Sequence, residues 1–267
     1  MSNRRVFIKN LSLGALGLTL FNQKLIADNN YRKITILHTN DMHSRIEPFG
    51  SGEFKGLGGM AQRSSIINEI RKKEKNVLLF DAGDIFQGTP YFNFYGGELE
   101  FKLMSKMKYD AATLGNHDFD NGLAGFKKQL KHASFEFLSA NYDFKNTILK
   151  NKIKPFKVFV KDGIKIGVFG LGVELDGLVP KELYEGTVYN EPIIIANQIS
   201  DKLKNELGCD LVICLSHLGL EYKSKKVSDK LVAKNTKNID LIIGGHTHSF
   251  LKKPIILSNL DNKKVII

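Results

Sequence analysis

Residues that commonly bind metal ions occur in five separated clusters of this sequence. Their side chains supply carboxylate, amide and imidazole groups, and a short apolar run directly precedes nearly every cluster. In a layered α/β fold, residues that follow parallel strands meet at one edge of the sheet. We therefore expect one shared site. The clusters are Asp41-Met42-His43, Gly83-Asp84, Gly115-Asn116-His117-Asp118, Ser216-His217 and Gly244-Gly245-His246-Thr247-His248.

The expected ligand atoms are oxygens and nitrogens, without a thiolate. A mixed oxygen and nitrogen set favours a hydrolytic site over a structural zinc site, because structural zinc sites usually contain cysteine. A carboxylate such as that of Asp84 has two oxygens and can bridge two ions. The seven expected ligands are Asp41, His43, Asp84, Asn116, His217, His246 and His248.

Alternating strand and helix patterns position these clusters. The Asp-Gly pair at 162–163, between two apolar runs, predicts a hairpin and hence some antiparallel strands. Strands are predicted at 34–37, 77–80, 111–114, 135–139, 156–160, 164–169, 211–215 and 241–243, with a closing hairpin from 254 to 267. Helices are predicted at 60–74, 99–107, 123–130, 193–207 and 224–234.

Taken together, the five clusters resemble the signature of the calcineurin-like metallophosphoesterases. Within that superfamily the sequence is similar to the 5′-nucleotidase branch, and the resemblance covers residues 34 to about 250. It implies an α/β fold, the four-layer α/β/β/α sandwich of that superfamily. The stretches that carry the branch resemblance are Leu37-His38-Thr39-Asn40-Asp41-Met42-His43, Gly83-Asp84-Ile85-Phe86-Gln87-Gly88-Thr89 and Asn116-His117-Asp118-Phe119-Asp120.

The resemblance also implies a cofactor of two divalent ions. Two such ions acidify a bound water and polarise a phosphoryl oxygen. Their identity is open among Mn, Zn, Fe and Co, since mixed ligand sets suit all four. By resemblance, one ion is held by Asp41, His43, Asp84 and His248, and the other by Asp84, Asn116, His217 and His246.

The resemblance gives His117 and Asp120 catalytic roles. His117 is similar to the family histidine that stabilises the transition state or protonates the leaving alkoxide. Asp120 matches the carboxylate that orients this imidazole and raises its pKa. For Asp118, two interpretations stay open: a contact that stabilises its own turn, or support of the metal ligands from behind.

We therefore expect a metal-dependent phosphoric ester hydrolase that acts on phosphate monoesters, with nucleotides as the leading substrate class. A cyclic-nucleotide phosphodiesterase or a sulfur-ester hydrolase of the same family is the alternative within enzymes. A non-catalytic fragment that binds metal and phosphate is the alternative outside them. The sequence stops at a strand without a polar tail, so we expect a domain truncated at its C-terminal end; a metal domain alone, as in some family members, is the alternative. Because 5′-nucleotidases carry a further C-terminal domain that stacks the base, recognition of the base stays open.

Composition fits one domain that binds a small anionic substrate. The chain has 267 residues, 42% of them hydrophobic, and a formal net charge of +11. Its lysines are scattered over predicted helix faces, and no basic stripe interleaves with aromatic residues, which argues against nucleic-acid binding. Cys209 and Cys214 are expected to be free thiols, Cys214 within a buried strand.

The N-terminus resembles a twin-arginine export signal. Arg4 and Arg5 precede an uncharged stretch, 11–21, that is too short to span a bilayer. We predict a signal over residues 1–27 and a metallophosphoesterase domain over residues 28–267. The expected partner is the twin-arginine export machinery and the expected location is the periplasm, or its membrane surface if the uncleaved signal serves as an anchor. No later segment is apolar enough to be an integral membrane domain.

Overall fold

The computed structural model describes residues 31–267, and Ile34–Ile267 form one compact unit. The predicted signal, residues 1–27, lies outside the described residues. The strands are β1 Thr35–Thr39, β2 Val77–Asp81, β3 Ala111–Ala112, β4 Glu136–Phe137, β5 Tyr142–Asp143, β6 Phe156–Lys161, β7 Ile164–Gly172, β8 Val188–Tyr189, β9 Leu211–His217, β10 Leu241–Gly244, β11 Ile256–Ser258 and β12 Lys264–Ile266. The α-helices are α1 Gly59–Lys73, α2 Pro90–Tyr95, α3 Glu98–Lys106, α4 Gly122–Gln129, α5 Pro192–Asp201 and α6 Asp229–Asn235.

Two sheets organise the domain. The first has four strands in the order β1-β2-β3-β4, and all of its pairs are parallel. The second has six strands in the order β11-β12-β10-β9-β7-β6. Its centre is parallel, and the antiparallel pairs are β6 with β7 and β11 with β12. The predicted hairpin around residues 162–163 is thus confirmed.

Alternation along the strands divides the buried side chains among three apolar layers. In β9, Ile213 and Leu215 pack between the two sheets, whereas Val212 and Cys214 pack towards α5 and α6. Strand β2 behaves likewise, because Leu79 joins the layer beneath α1, α3 and α4. Successive side chains of a strand point to opposite faces. The arrangement is helix, sheet, sheet, helix, which confirms the predicted four-layer α/β/β/α sandwich.

Most predicted helices are present, with two corrections at turns. The helix predicted at 224–234 begins only at Asp229, because Ser228 has an extended backbone and occupies the N-cap position. Helix α2 was missed, although Pro90 at its first turn and Gly96 at φ 57° after its end are recognisable boundary residues. The predicted helix 193–207 is present as α5 followed by a π-helical turn, Lys202–Glu206.

The fold delivers the clusters to one edge because their strands run in parallel. Strands β1, β2 and β3 belong to one sheet, and β9 and β10 to the other. Each cluster stands at or just beyond the carboxyl end of its strand. Within residues 31–267, no helix has the length and apolar character needed to cross a membrane. Cys209 and Cys214 are buried free thiols, as predicted.

Candidate metal centre

The loops that carry the expected ligands have an unusual backbone. Five of the seven ligand residues have positive φ angles, which are uncommon outside glycine: Asp41, His43, Asp84, His246 and His248. Such backbone conformations cost free energy and cluster at functional sites, where the surrounding structure enforces them. The loops therefore hold these side chains in orientations that ordinary turns do not give.

Asp41, His43 and His248 form the first group of expected ligands. One ligand atom from each lies within 4.8 Å of the others. The Nε2 atoms of His43 and His248 are 3.1 Å apart, and His248 Nε2 is 3.4 Å from Asp41 Oδ1. The Asp41 carboxylate is also held by the backbone N–H of His246, at 2.9 and 3.1 Å, so the two sheets are joined at the site.

Asp84, His217 and His246 form the second group, again with ligand atoms within 4.8 Å of one another. His217 is fully buried, and its Nδ1 donates a hydrogen bond to the Ala82 carbonyl at 2.7 Å. That bond turns Nε2 towards Asp84 Oδ2, which is 3.0 Å away. A backbone carbonyl behind a histidine ligand commonly fixes the ring orientation in this way.

The Asp84 carboxylate stands between the two groups. Its Oδ2 is 3.0 Å from His217 Nε2 and 3.9 Å from His43 Nε2. Burial by itself raises the pKa of Asp84, but the neighbouring His217 side chain outweighs burial and lowers this pKa to about 2. Asp84 therefore offers an ionised carboxylate to both sides, as the bridging role requires.

Burial and neighbouring charges also shift the pKa values of the histidines in the site. Burial by itself lowers the pKa of His217, but the nearby Asp84 carboxylate outweighs burial and raises this pKa to about 9. Burial and then His217 lower the pKa of His246 to about 4. Burial lowers the pKa of His43 as well. His246 and His43 are thus neutral at pH 7, and a neutral imidazole is the form that binds metal.

The donor atoms of these groups fit divalent ions. Asn116 Oδ1 is buried and has no hydrogen-bond partner among the described residues. A buried carbonyl oxygen without a partner costs free energy, so an ion ligated there removes a penalty. The electron-rich nitrogens of His43 and His248 also face one another closely. In one tautomer one ring donates a hydrogen bond to the other, and in another tautomer both lone pairs are free to bind one cation.

His117 and Asp120 lie beside these groups. His117 Nδ1 is 2.7 Å from Asp120 Oδ2, and the hydrogen bond to Asp120 raises the pKa of His117. The His117 ring centroid is 5.2 Å from that of His43. A His117 ring nitrogen also falls within 4.8 Å of ligand atoms of His43 and Asp84, so the structure brings His117 to the centre.

Two buried acids support the ligand loops, and sequence reasoning missed them. Asp229 accepts a hydrogen bond from the Ser216 hydroxyl at 2.5 Å, directly before His217. Asp81 accepts bonds from Thr39 Oγ1 at 2.5 Å and from the Gly83 N–H at 2.9 Å. Asp81 is the last residue of strand β2 and opens the segment Asp81-Ala82-Gly83-Asp84, so its position in the sequence could have indicated its role. Asp229 carries no such signal, since it opens a helix distant in sequence.

A groove of about 1100 Å³ opens from the first ligand group. One wall is an ordered loop, in which the Phe49 N–H donates to the Leu57 carbonyl at 2.9 Å. The Arg45 guanidinium lies 4.6 Å from the Phe49 ring centroid. The ligand residues and aromatic residues that share this lining are Asp41, His43, His248, Phe49, Phe54 and Phe250.

Comparisons with known proteins identify the family of this chain. The family model of the calcineurin-like phosphoesterases matches residues 34–250. The snake venom 5′-nucleotidase of Crotalus adamanteus is 39% identical over an alignment of 230 positions, which covers 82% of this chain and 37% of that protein. The 5′-nucleotidase of Homo sapiens is 34% identical over an alignment of 258 positions, which covers 87% of this chain and 43% of that protein.

A solved structure gives the same result for the fold. The NAD nucleotidase of Haemophilus influenzae superimposes with a TM-score of 0.77 at 31% identity, over 87% of this chain and 44% of that one. The chain spans less than half the length of each of these three relatives. Because the family model matches most of the chain, which is also similar to 5′-nucleotidases, the protein belongs to the calcineurin-like phosphoesterase family.

Proposed function

We propose that this chain is an exported phosphoesterase that uses two divalent ions to hydrolyse phosphate monoesters, with nucleotides as its leading substrates. The position of Asp84 carries the proposal. Its carboxylate oxygen faces His217 on one side and His43 on the other. A bridging carboxylate between two groups of nitrogen and oxygen donors is typical of dinuclear hydrolytic sites.

The chain offers a complete ligand set for each ion. Asp41, His43, Asp84 and His248 would hold one ion, and Asp84, Asn116, His217 and His246 the other. When bound, two divalent ions activate a phosphoryl group and a water nucleophile by Lewis acidity. The rigid loops hold the donors in place, and the hydrogen bond from His217 to the Ala82 carbonyl fixes the ring that faces Asp84.

His117 is proposed to act on the leaving group. With Nδ1–H donated to Asp120, the proton that Nε2 needs in order to donate is present only in the imidazolium form. Asp120 favours that form, because it raises the pKa of His117. His117 can therefore protonate the departing alkoxide, and Asp120 keeps the ring oriented. A site that only bound metal and phosphate would not need this pair.

Similarity to 5′-nucleotidases and the volume of the groove beside the ligands both favour nucleotides as substrates. The relatives from Crotalus adamanteus and Homo sapiens are 5′-nucleotidases. The groove beside the ligands, about 1100 Å³, is larger than a phosphate group needs and falls near the upper size of small-molecule pockets. Its exposed Phe250 and the Phe49–Phe54 pair offer apolar surface to the organic part of an ester.

Phosphate release from 5′-AMP and from 4-nitrophenyl phosphate tests this function. The protein is chelated, assayed, and assayed again after Mn²⁺ or Zn²⁺ is added. Metal-dependent release from both substrates is expected. Release from the small ester alone would contradict the nucleotide assignment, and release from neither by a folded, metal-loaded sample would contradict the phosphomonoesterase. Hydrolysis of a cyclic phosphodiester would indicate the alternative phosphodiesterase activity, and hydrolysis of a thiosulfate-type ester would indicate the alternative sulfur-ester hydrolase activity.

Export completes the proposal. Arg4 and Arg5 followed by the uncharged stretch 11–21 support twin-arginine export to the periplasm, with a signal over residues 1–27 that precedes the metallophosphoesterase domain. That route carries folded proteins, so metal can be loaded before transport. The twin-arginine machinery is accordingly the proposed protein partner.

A further inference from the structure

We infer that Asp118 is a positioning residue that holds the Asp84 loop and the Asn116 loop together in the geometry required for ion binding. The inference rests on the proposed function, since it concerns the same metal centre. It adds a residue to which no role has been assigned. Asp118 is buried, with 1% of its surface exposed.

The Asp118 carboxylate accepts hydrogen bonds from four backbone N–H groups. Oδ2 accepts from Asp84 at 3.0 Å and from Gly115 at 2.8 Å. Oδ1 accepts from Ile85 at 3.0 Å and from Phe86 at 3.3 Å. Three of the four donors belong to the loop after β2, which is more than thirty residues away in sequence. Stabilisation of its own turn therefore does not account for Asp118.

The two loops are also joined in the opposite direction. The Asp84 carboxylate accepts a hydrogen bond from the His117 backbone N–H at 2.8 Å through Oδ1. Thus Asp118 binds the backbone of Asp84, and Asp84 binds the backbone that leads to Asp118. A Cβ atom on Gly115 would lie 2.1 Å from Asp84 Oδ1, so the loops are in direct contact.

A carboxylate is the side chain that suits this position, because its two oxygens accept from four backbone N–H groups. Both of its oxygens act only as acceptors, and all four neighbours are donors. An asparagine of the same shape has one acceptor and one NH₂ group. In either orientation that NH₂ group opposes two backbone N–H groups, and two buried donors lose their partner. The Asp84 loop, or its junction with Gly115, must then shift.

The test is Mn²⁺ affinity of the chelated protein, measured by isothermal titration calorimetry, for wild type and Asp118→Asn. Loss of groups that orient metal ligands commonly weakens metal affinity about 10–100-fold, and we expect a loss in that range. Because every ligand remains, raising Mn²⁺ should restore most of the phosphatase activity. The comparison uses variants that are folded without metal, because an ion can also rescue a merely destabilised fold by mass action.

Asp240→Asn is the matched control. Asp240 also accepts a backbone N–H, that of Val212 at 2.8 Å, but at the starting end of β9, opposite to the ligands. Its Mn²⁺ affinity should stay within about twofold of wild type, while its thermal stability falls. Asp118→Glu, which keeps both oxygens and the charge, should retain more affinity than Asp118→Asn and guards against a variant that does not fold.

The outcomes separate this inference from the proposed function. Wild-type Mn²⁺ affinity in a folded Asp118→Asn protein would overturn the inference and leave the metal centre intact. Equal losses in the Asn and Glu variants, or an equal loss in Asp240→Asn, would also overturn it. A wild-type protein that binds no divalent ion would instead refute the metal centre itself, and the inference with it.

Discussion

The His117 imidazole and the Asp120 carboxylate form a hydrogen bond of 2.7 Å between Nδ1 and Oδ2, three residues apart in one turn. The bond fixes the orientation of the ring and places a negative charge beside it. It therefore raises the pKa of His117. In the imidazolium form Nε2 carries a proton, as an acid that assists an alkoxide leaving group requires.

Asp120→Asn should move the alkaline limb of the kcat–pH profile to lower pH. His117 is active when protonated, and its protonated fraction falls as the pH rises through its pKa. Removing the carboxylate lowers that pKa, so activity is lost at a lower pH. The profile is measured with 4-nitrophenyl phosphate at saturating Mn²⁺. Asp162→Asn, in the turn between β6 and β7, is the control and should leave the limb in place; an unmoved limb in Asp120→Asn would refute the proton-donor role.

His117→Asn should reduce kcat about 10²- to 10⁴-fold, the usual range for loss of a general acid or base. Metal content should be unchanged, because His117 is not among the proposed ligands. Metal is measured by elemental analysis of the same sample used for kinetics. His132→Asn is the control, since His132 faces Glu98 and lies outside the centre. Loss of metal together with activity would make His117 a ligand and contradict its assigned role.

Replacing Arg4 and Arg5 with lysine should abolish export while leaving the enzyme active in the cytoplasm. Twin-arginine signals are read by a receptor, and lysine keeps the charge without the guanidinium geometry. The measurement is phosphatase activity in periplasmic and cytoplasmic fractions. Arg32→Lys, which lies beyond the predicted signal, should be exported normally. Unchanged periplasmic activity in the double variant would exclude this route.

The edge where the ligands meet was predictable because buried strands leave a strong pattern. The apolar run in β2, Val77–Asp81, and that in β9 each end in a polar cluster, and strands on opposite sides of a helix tend to be parallel. Even the two-residue strand β3, Ala111–Ala112, was marked by the glycine and ligand residues that follow it. The apolar runs, and the glycine and ligand residues that end them, were enough to place these strands.

For Asp118 the sequence left support of the ligands open as one of two interpretations, and it could not decide between them. The partners of Asp118 are backbone N–H groups, which every residue but proline carries, so no residue type signals them. The same holds for Gly244, where a Cβ atom would lie 2.3 Å from Asp229 Oδ2. The φ of Gly244 is not positive, so close packing and not a left-handed turn is the reason for glycine at this position. Contacts of this kind exist only after the sheets have assembled.

Metal binding at pH 7.5 should release protons, and about one of them should come from His217. In the metal-free protein the Asp84 carboxylate raises the pKa of His217 to about 9, against the effect of burial, so the ring is protonated. Asp84 itself is ionised, and His246, whose pKa burial lowers to about 4, is neutral, so neither has a proton to lose. An ion must displace the His217 proton in order to bind Nε2.

The proton is counted by titrating Mn²⁺ into chelated protein by calorimetry in two buffers of different ionisation enthalpy. Affinity should rise as the pH increases towards about 9, because fewer molecules then hold the competing proton. Because the pKa of His217 is higher in the folded protein, protonation of this ring also stabilises the metal-free fold. This contribution to the free energy of unfolding is complete below the ordinary histidine pKa of about 6.5, and it is lost as the pH rises through about 9. The metal-free protein should therefore melt at a lower temperature at pH 9.5 than at pH 6.5. His132→Gln should release the same number of protons as wild type, whereas heats independent of the buffer would mean that His217 is neutral before the ion arrives.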